Sequence, residues 1–224
     1  MQMPKMPIDL RVYALLDPEH AGGRAIPELA RLVAEGGATL VQLRDKRSDT
    51  GAMVELARAL KAALAPFGIP LLINDRVDVA LAAGADGVHV GQTDMAVADA
   101  RKLLGRNAII GLSIKTVAQA EAAPIDLIDY VGVGGVFGTS SKTNTSQPIG
   151  PAGLARIAAV LRGRRADFPV CGIAGIDAGN AASVLDAGAD GVAVISALSL
   201  KGDPQVAARE LRAIVDSAIG KRGT

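Results

Sequence analysis

The sequence predicts an α/β fold, a single (β/α)8 TIM barrel. Eight short apolar runs alternate with helix-like segments. The runs are continuous, as in parallel strands whose two faces are both buried. The segment at 83–88 (AGADGV) recurs at 187–192, with a weaker echo at 35–40, and such a repeat suits a symmetric closed barrel. A doubly wound open sheet is the alternative fold, but eight even units and the lack of a GxGxxG motif after the first strand favour the barrel.

Each element has its own signal, and together they predict one domain over residues 1–224 with a short extension at 1–10. Helix 26–35 has apolar residues at helical spacing and ends at a glycine pair. Thr116 is placed to cap one helix, and Pro151 is the first residue of another. The predicted strands are 12–16, 39–43, 71–73, 87–90, 108–112, 127–133, 170–173 and 191–195. The predicted helices are 26–35, 51–66, 76–83, 96–104, 116–122, 151–161, 178–185 and 204–219.

The composition of the chain indicates which binding partners and which cellular compartment to expect. The net charge is +1 and aromatic residues are 2%, which argues against nucleic-acid binding because that needs basic clusters and stacking aromatics. The single cysteine, Cys171, excludes an internal disulfide and is expected in the core. The sequence shows no secretory signal and no apolar stretch of about 18 residues. We therefore expect a cytoplasmic protein without a membrane span. The apolar helices are also compatible with a homo-oligomer.

Polar residues follow the predicted strands, and in a barrel of this type the residues after the strands form the active site. In chain order they are Gln42, Arg44, Lys46, Asn74, Asp75, Gln92, Asp94, Ser113, Lys115, Thr139, Ser140, Ser141, Lys142, Gly175 and Ser196. Two carboxylates after neighbouring strands, Asp75 and Asp94, suit a Mg²⁺ ion that keeps water ligands and shares phosphate oxygens.

The remaining rim residues suit phosphate groups. Arg44, Lys46 and Lys142 are cations of the kind that bind phosphates. Gly175 and Ser196 follow strands seven and eight, where barrels commonly bind phosphate. The polar loop at 138–148 is long for a connection of this type, so we expect a mobile lid that contacts phosphate.

Structural interpretations compete with these functional ones. Asp75 and Asp94 could each cap the helix that follows. The segment 44–46 could be a solvated loop. His89 lies between two valines in a strand, so a packed, hydrogen-bonded histidine is expected more than a ligand.

Seven motifs resemble those of the thiamine-phosphate synthase family, over about residues 13–198. They are VQLRDK (41–46), INDR (73–76), HVGQTD (89–94), GLS (111–113), TSSK (139–142), IAGI (173–176) and VIS (194–196). The family is a (β/α)8 barrel transferase that joins hydroxymethylpyrimidine diphosphate to a thiazole phosphate, releasing diphosphate and forming thiamine monophosphate. It is thought to react through a pyrimidine carbocation, which needs no protein nucleophile.

The resemblance also implies roles for individual residues. The pyrimidine diphosphate would be bound by Gln42, Leu43, Arg44, Asp45, Lys46, Asn74, Ser113 and Lys142. One Mg²⁺ ion would be bound by Asp75 and Asp94. The thiazole phosphate would be held by Thr139, Ser140, Ser141, Gly175, Ile195 and Ser196. Ser113, Lys142 and Arg44 would be the catalytic residues. The chain departs from the family pattern at Ala174, where glycine is usual, and at Ser141, where threonine is commoner.

Three other functions fit the same barrel. A thiazole tautomerase would lack the residues that bind metal and diphosphate, and a non-catalytic regulator would have lost its charged rim. A sugar-phosphate enzyme would carry a lysine–carboxylate pair instead of two neighbouring acids. The presence of Asp75, Asp94, Arg44 and Lys142 favours the synthase. Whether the thiazole substrate is the simple or the carboxylated form stays open.

Overall fold

Eight parallel strands close into a barrel in chain order in a computed structural model, which describes residues 8–139 and 147–222. The strands are β1 (Val12–Leu16), β2 (Leu40–Leu43), β3 (Leu71–Asn74), β4 (Gly87–Val90), β5 (Ile109–Ile114), β6 (Tyr130–Gly134), β7 (Val170–Ile173) and β8 (Gly191–Val194). The helices are α1 (Ile26–Glu35), α2 (Thr50–Leu64), α3 (Val77–Ala83), α4 (Val97–Leu104), α5 (Val117–Ala122), α6 (Gly150–Arg164), α7 (Ala181–Asp186), α8 (Ser196–Ser199) and α9 (Pro204–Gly220). Because β1 also pairs with β8, the ring is complete and the predicted fold is confirmed.

Several predicted boundaries were wrong where turn residues intervene. Strand β6 begins at Tyr130 and not at 127, because the Leu127 N–H bonds to the Pro124 carbonyl in a turn (2.9 Å). Helix α7 begins three residues later than predicted, after a turn in which the Asn180 side chain accepts the Asp177 N–H (3.0 Å). The short helix α8 was not predicted. Thr116 caps α5 in a complete capping box, as expected.

The apolar core has two layers. The larger layer fills the space between the strands and the surrounding helices. The smaller one fills the barrel interior with Leu15, Leu40, Leu72 and two tyrosines among others. Cys171 belongs to this inner layer and is fully buried, as predicted. Burial raises the pKa of its thiol, so the thiol stays protonated and unreactive.

Two glycines make room for rings inside the barrel. A Cβ atom on Gly111 would lie 2.1 Å from the Tyr130 ring, and one on Gly132 would lie 3.0 Å from the His89 ring. Both glycines lie on strands, where glycine otherwise weakens packing. Their missing side chains are therefore what allows Tyr130 and His89 to lie across the barrel axis.

The repeated sequence before the strands has a structural role at the N-terminal face of the barrel. Three aspartates each directly precede an even-numbered strand. Each accepts a backbone N–H from the first or second residue of the preceding strand and pairs with a cation from an earlier helix. The three sets are Asp86 with Leu71 (2.9 Å) and Lys61 (3.0 Å), Asp129 with Ile110 (2.8 Å) and Arg101 (3.0 Å), and Asp190 with Val170 (2.8 Å) and Arg162 (2.9 Å). Before β2 the same position holds Thr39, whose hydroxyl accepts the Val12 N–H (3.2 Å). We call these four contacts the strand-start clamps, and they explain the AGADGV repeat.

No helix within the described part of the chain has the length and apolar character needed to cross a membrane.

Candidate active site

Asp75 lies directly after β3, at the C-terminal rim of the barrel. Its N–H donates to the His89 carbonyl (2.8 Å), which continues the pairing of β3 with β4. Its φ angle of 61° is left-handed, a conformation that aspartate tolerates better than most residues. The carboxylate accepts a hydrogen bond from the Asn74 amide (2.7 Å) and pairs with the Lys46 ammonium.

Asp94 lies close enough to Asp75 for the two carboxylates to affect each other. Burial raises the pKa of the Asp75 carboxyl and the neighbouring Asp94 carboxyl raises it further, whereas the Lys46 ammonium opposes the shift. One oxygen of Asp94 accepts the Gly91 N–H (2.7 Å), which closes the loop after β4. The structure thus brings the two acids together, as expected for carboxyl ends of neighbouring parallel strands.

The interpretation of these aspartates as helix caps was wrong. The residue at the N-cap position of α3 is Arg76, and that of α4 is Ala96, and neither helix start receives a side-chain cap. Asp75 and Asp94 instead direct their carboxylates to the rim and its loops. Among residues 8–139 and 147–222, no group of three or more His, Cys, Asp or Glu side chains could hold a metal ion. A carboxylate pair fits Mg²⁺ in particular, because this ion usually takes one or two protein carboxylates and keeps several waters.

Arg44 is held by a buried acid that the sequence analysis missed. Its guanidinium pairs with Asp17, whose side chain is 1% exposed, while the Arg44 side chain itself is 12% exposed. The interpretation of 44–46 as a solvated loop was therefore wrong for Arg44. The signal is present in the sequence, since Asp17 directly follows β1 as Asp75 directly follows β3.

The two residues before Arg44 have side chains on opposite sides of the barrel wall, one in the interior and one toward the helices. Gln42 is buried inside the barrel, where its amide donates to the Tyr13 hydroxyl. Leu43 is 1% exposed and packs in the helix-facing core, so its side chain does not face the rim. The predicted contact of Leu43 with substrate stays a prediction, and its backbone is the part available for it.

Asp45 is also buried, and one of its carboxylate oxygens accepts the Arg47 and Ser48 N–H groups (both 2.9 Å). Burial disfavours its ionisation, but the hydrogen bonds from Ser48 and Arg47 outweigh that and hold the pKa of this carboxyl below its ordinary value. This oxygen of Asp45 stabilises its own loop, a role that sequence reasoning did not assign to it.

Ser113 was predicted to follow the fifth strand, but it lies within β5. Its hydroxyl is 2.8 Å from His89 Nε2, and the other ring nitrogen of His89 is 2.8 Å from the Tyr130 hydroxyl. His89 is therefore a packed, hydrogen-bonded histidine, as expected. The Ser113 carbonyl accepts the Gln92 amide (2.7 Å), which ties the loop after β4 to β5. The next predicted rim residue, Lys115, donates its backbone N–H to the Gln119 side chain at the start of α5.

A cavity opens at the rim between β7 and β8. It is lined by Leu15, Thr139, Ile173, Ala174, Gly175, Ile176, Ala193, Val194, Ile195 and Ser196. Four of the predicted thiazole-phosphate residues, Thr139, Gly175, Ile195 and Ser196, thus surround one space. The remaining predicted residues of the loop, Ser140, Ser141 and Lys142, lie outside the described residues, as does most of the predicted lid.

Gly175 is required by its surroundings. Its φ angle is 66°, and a Cβ atom there would lie 2.3 Å from the Gly138 carbonyl oxygen and 2.7 Å from the Phe137 side chain. We expect Gly175→Ala to lower the free energy of unfolding by about 1–3 kcal/mol, because backbone must move to admit the methyl group. Urea denaturation measures the change. Gly138→Ala is the control, since nothing lies within 4 Å of its Cβ position, and a loss as large for this variant would contradict the steric argument.

Ala174 carries strain that glycine would relieve. It is a non-glycine residue at a φ angle of 80°, a conformation that costs roughly 1–2 kcal/mol for a residue with a Cβ atom. Glycine also increases the conformational entropy of the unfolded chain, which lowers the free energy of unfolding by about 0.5–1 kcal/mol. Ala174→Gly is therefore expected to raise the free energy of unfolding by about 0.5–1 kcal/mol. Thermal and urea denaturation test this, and a destabilised variant would show that the methyl group contributes packing.

Comparison with known proteins identifies the family. The family profile described as thiamine monophosphate synthase matches residues 12–198. The thiamine-phosphate synthase of Agrobacterium fabrum is 47% identical over 96% of this chain and 98% of its own length. That of Xanthobacter autotrophicus is 48% identical over 96% and 100%. The structure of a thiamine phosphate pyrophosphorylase from Pyrococcus furiosus superposes with a TM-score of 0.83 at 36% identity, covering 95% of this chain and 98% of that one. The chain therefore belongs to the thiamine monophosphate synthase family.

Proposed function

We propose that this protein is a Mg²⁺-dependent thiamine-phosphate synthase. It joins 4-amino-2-methyl-5-hydroxymethylpyrimidine diphosphate to a thiazole phosphate and releases diphosphate. The observation that carries the proposal is the pair of neighbouring carboxylates, Asp75 and Asp94, with Lys46 bound to Asp75. Arg44 follows β2 at the same rim and is held by Asp17. Family membership supports the same activity.

The proposed roles follow the charges. Asp75 and Asp94 would hold Mg²⁺, which, when bound, neutralises negative charge on the departing diphosphate. Arg44 stabilises the same charge as a fixed guanidinium, because buried Asp17 sets its orientation before substrate arrives. Lys46 pairs with Asp75 in this structure, and its ammonium would bind the diphosphate of the pyrimidine substrate. Asn74 bonds to Asp75 and keeps that carboxylate oriented.

The second substrate has its own place at the rim. The lining of the cavity between β7 and β8 combines Gly175 and Ser196 with apolar side chains such as Ile173 and Val194. We propose that it holds the phosphate of the thiazole, together with Thr139 and Ile195 and with Ser140 and Ser141 of the loop. Lys142 would complete the diphosphate site. Because the reaction needs no protein nucleophile, positioning of both substrates supplies much of the rate.

Diphosphate release from the purified protein tests the proposal. The reaction contains both substrates with Mg²⁺ or with a chelator, and thiamine monophosphate is measured in parallel. We expect both products only when both substrates and Mg²⁺ are present. Trials with the carboxylated thiazole phosphate decide which form is used. Release that is unaffected by the chelator would contradict the metal assignment, and folded protein without turnover would contradict the synthase assignment. A cytoplasmic location, a homo-oligomer and the absence of nucleic-acid binding stay predictions.

A further inference from the structure

A continuous chain of hydrogen bonds crosses the barrel interior below the proposed substrate site. The Gln42 amide nitrogen donates to the Tyr13 hydroxyl, which lies 2.8 Å from the Tyr130 hydroxyl. Tyr130 lies 2.8 Å from His89 Nδ1, and His89 Nε2 lies 2.8 Å from the Ser113 hydroxyl. The chain thus connects β2 to β5, and the family resemblance implies that its two end residues, Gln42 and Ser113, contact the pyrimidine substrate.

The chain is shielded from water along its length. Tyr130 is fully buried, and Tyr13, Gln42 and His89 are 1%, 2% and 5% exposed. Burial raises the pKa of both tyrosine hydroxyls, so both keep their hydrogen at neutral pH. A buried chain of this kind polarises its members, and each polar group in it must be satisfied.

The Gln42 amide directs its nitrogen to Tyr13, and with this amide orientation a count of hydrogens gives the direction of the chain. Three bonds join the Gln42 nitrogen to His89 Nδ1, and three hydrogens serve them: one from the amide and one from each of Tyr13 and Tyr130. Each hydroxyl therefore donates away from Gln42, and His89 Nδ1 accepts. In the reverse direction Tyr13 would point its hydrogen at an amide donor.

We propose that this chain holds His89 as the neutral Nε2–H tautomer, so that Ser113 accepts from His89 and directs its own hydroxyl hydrogen to the substrate. Tyr130 and His89 are then positioning residues, and Ser113 is the hydrogen-bond donor that touches the pyrimidine substrate. The statement about the tautomer rests on the hydrogen-bond geometry with the Gln42 nitrogen directed to Tyr13, whereas the statement about the substrate rests on the proposed function.

Nitrogen NMR of the full-length protein labelled with ¹⁵N-histidine tests the tautomer without substrates. The chain has two histidines, and His20→Asn assigns the remaining signal to His89. We expect His89 to carry its hydrogen on Nε2. In Tyr130→Phe the Nδ1 resonance should move toward that of a nitrogen without a hydrogen bond. In Tyr13→Phe, which leaves the Tyr130 donor in place, the shift should be smaller. A wild-type His89 with its hydrogen on Nδ1, or on both nitrogens, would overturn the proposal.

A double-mutant cycle tests the route to the substrate. Tyr130→Phe is expected to lower kcat about fivefold to tenfold, the usual value of one hydrogen bond, with little change in KM. In a Ser113→Ala background the same substitution should have no further effect, because the hydroxyl that it orients is gone. If the two substitutions lower kcat independently, so that the double variant loses the product of the two single factors, the role assigned to Ser113 is overturned. If the wild-type protein shows no synthase turnover, the NMR result still decides the tautomer.

Discussion

Asp75→Asn is expected to lower Mg²⁺-dependent diphosphate release by at least about 10²-fold, the size of effect seen when one charge-stabilising group is lost from a transition state. The substitution removes half of the carboxylate pair that Asp75 forms with Asp94. Asparagine accepts the left-handed backbone of this position, so the fold should be retained. Steady-state assays at several Mg²⁺ concentrations measure the loss, and circular dichroism checks the fold.

The control for this experiment is Asp78→Asn. Asp78 is three residues further along the chain, is exposed in the first turn of α3 and pairs with Arg76 at the surface. Its removal should leave turnover within about twofold, since exposed ion pairs contribute little. Equal losses in both variants would show that the effect comes from the charge of the segment. An Asp75→Asn protein that unfolds would assign Asp75 a structural role.

Arg44→Met is expected to lower the free energy of unfolding by about 3–5 kcal/mol, because it leaves the Asp17 carboxylate buried without its cation. Asp17 is 1% exposed, and after the substitution its carboxylate still has the Glu19 N–H (2.9 Å) and the His20 ring, whose Nδ1 lies 3.4 Å away. Methionine keeps much of the volume of the arginine stem, which limits the loss of packing. Urea denaturation measures the change, provided that the dependence of the unfolding free energy on urea concentration is the same in the variant and the wild type.

Arg47→Met is the matched control, because it removes an arginine from the same loop. Arg47 pairs with Glu19, but its side chain is 78% exposed, so a cost below about 1 kcal/mol is expected. Adding Asp17→Asn to Arg44→Met should recover part of the stability, since the unpaired charge is then gone. A small loss in the single variant would mean that Asp17 becomes protonated or that His20 compensates its charge once Arg44 is removed.

The fold was predictable from the sequence because its signals are local. Continuous apolar runs and the glycine-rich turns before them identify parallel strands with two buried faces, and eight such units close a barrel. The adjacency of Asp75 and Asp94 was also predictable, since carboxyl ends of neighbouring strands share one edge. Errors of two or three residues arose where side chains such as Asn180 set a turn that apolar spacing does not reveal.

The contacts between distant strands were not predictable in the same way. Tyr13, His89 and Tyr130 lie on β1, β4 and β6, and their contact depends on the register of each intervening strand pair. A shift of one residue would turn each ring to the helix layer. The two tyrosines of an almost aromatic-free chain both lie in strands, and that was the available signal. Asp17 is predictable from the rule that the residue directly after a strand lies at the rim, once that rule is applied to β1.

The strand-start clamps have a consequence for how the barrel assembles. Three of them join a strand to its successor across only 15, 19 and 20 residues, so the entropic cost of closing each loop is small. Each two-strand piece can therefore form from its own segment of the chain. Pairing of β1 with β8 brings together the two ends of the molecule, and long-range pairing is the slow part of folding. Ring closure should thus be the last event, made by docking of pieces that already hold their strands in register.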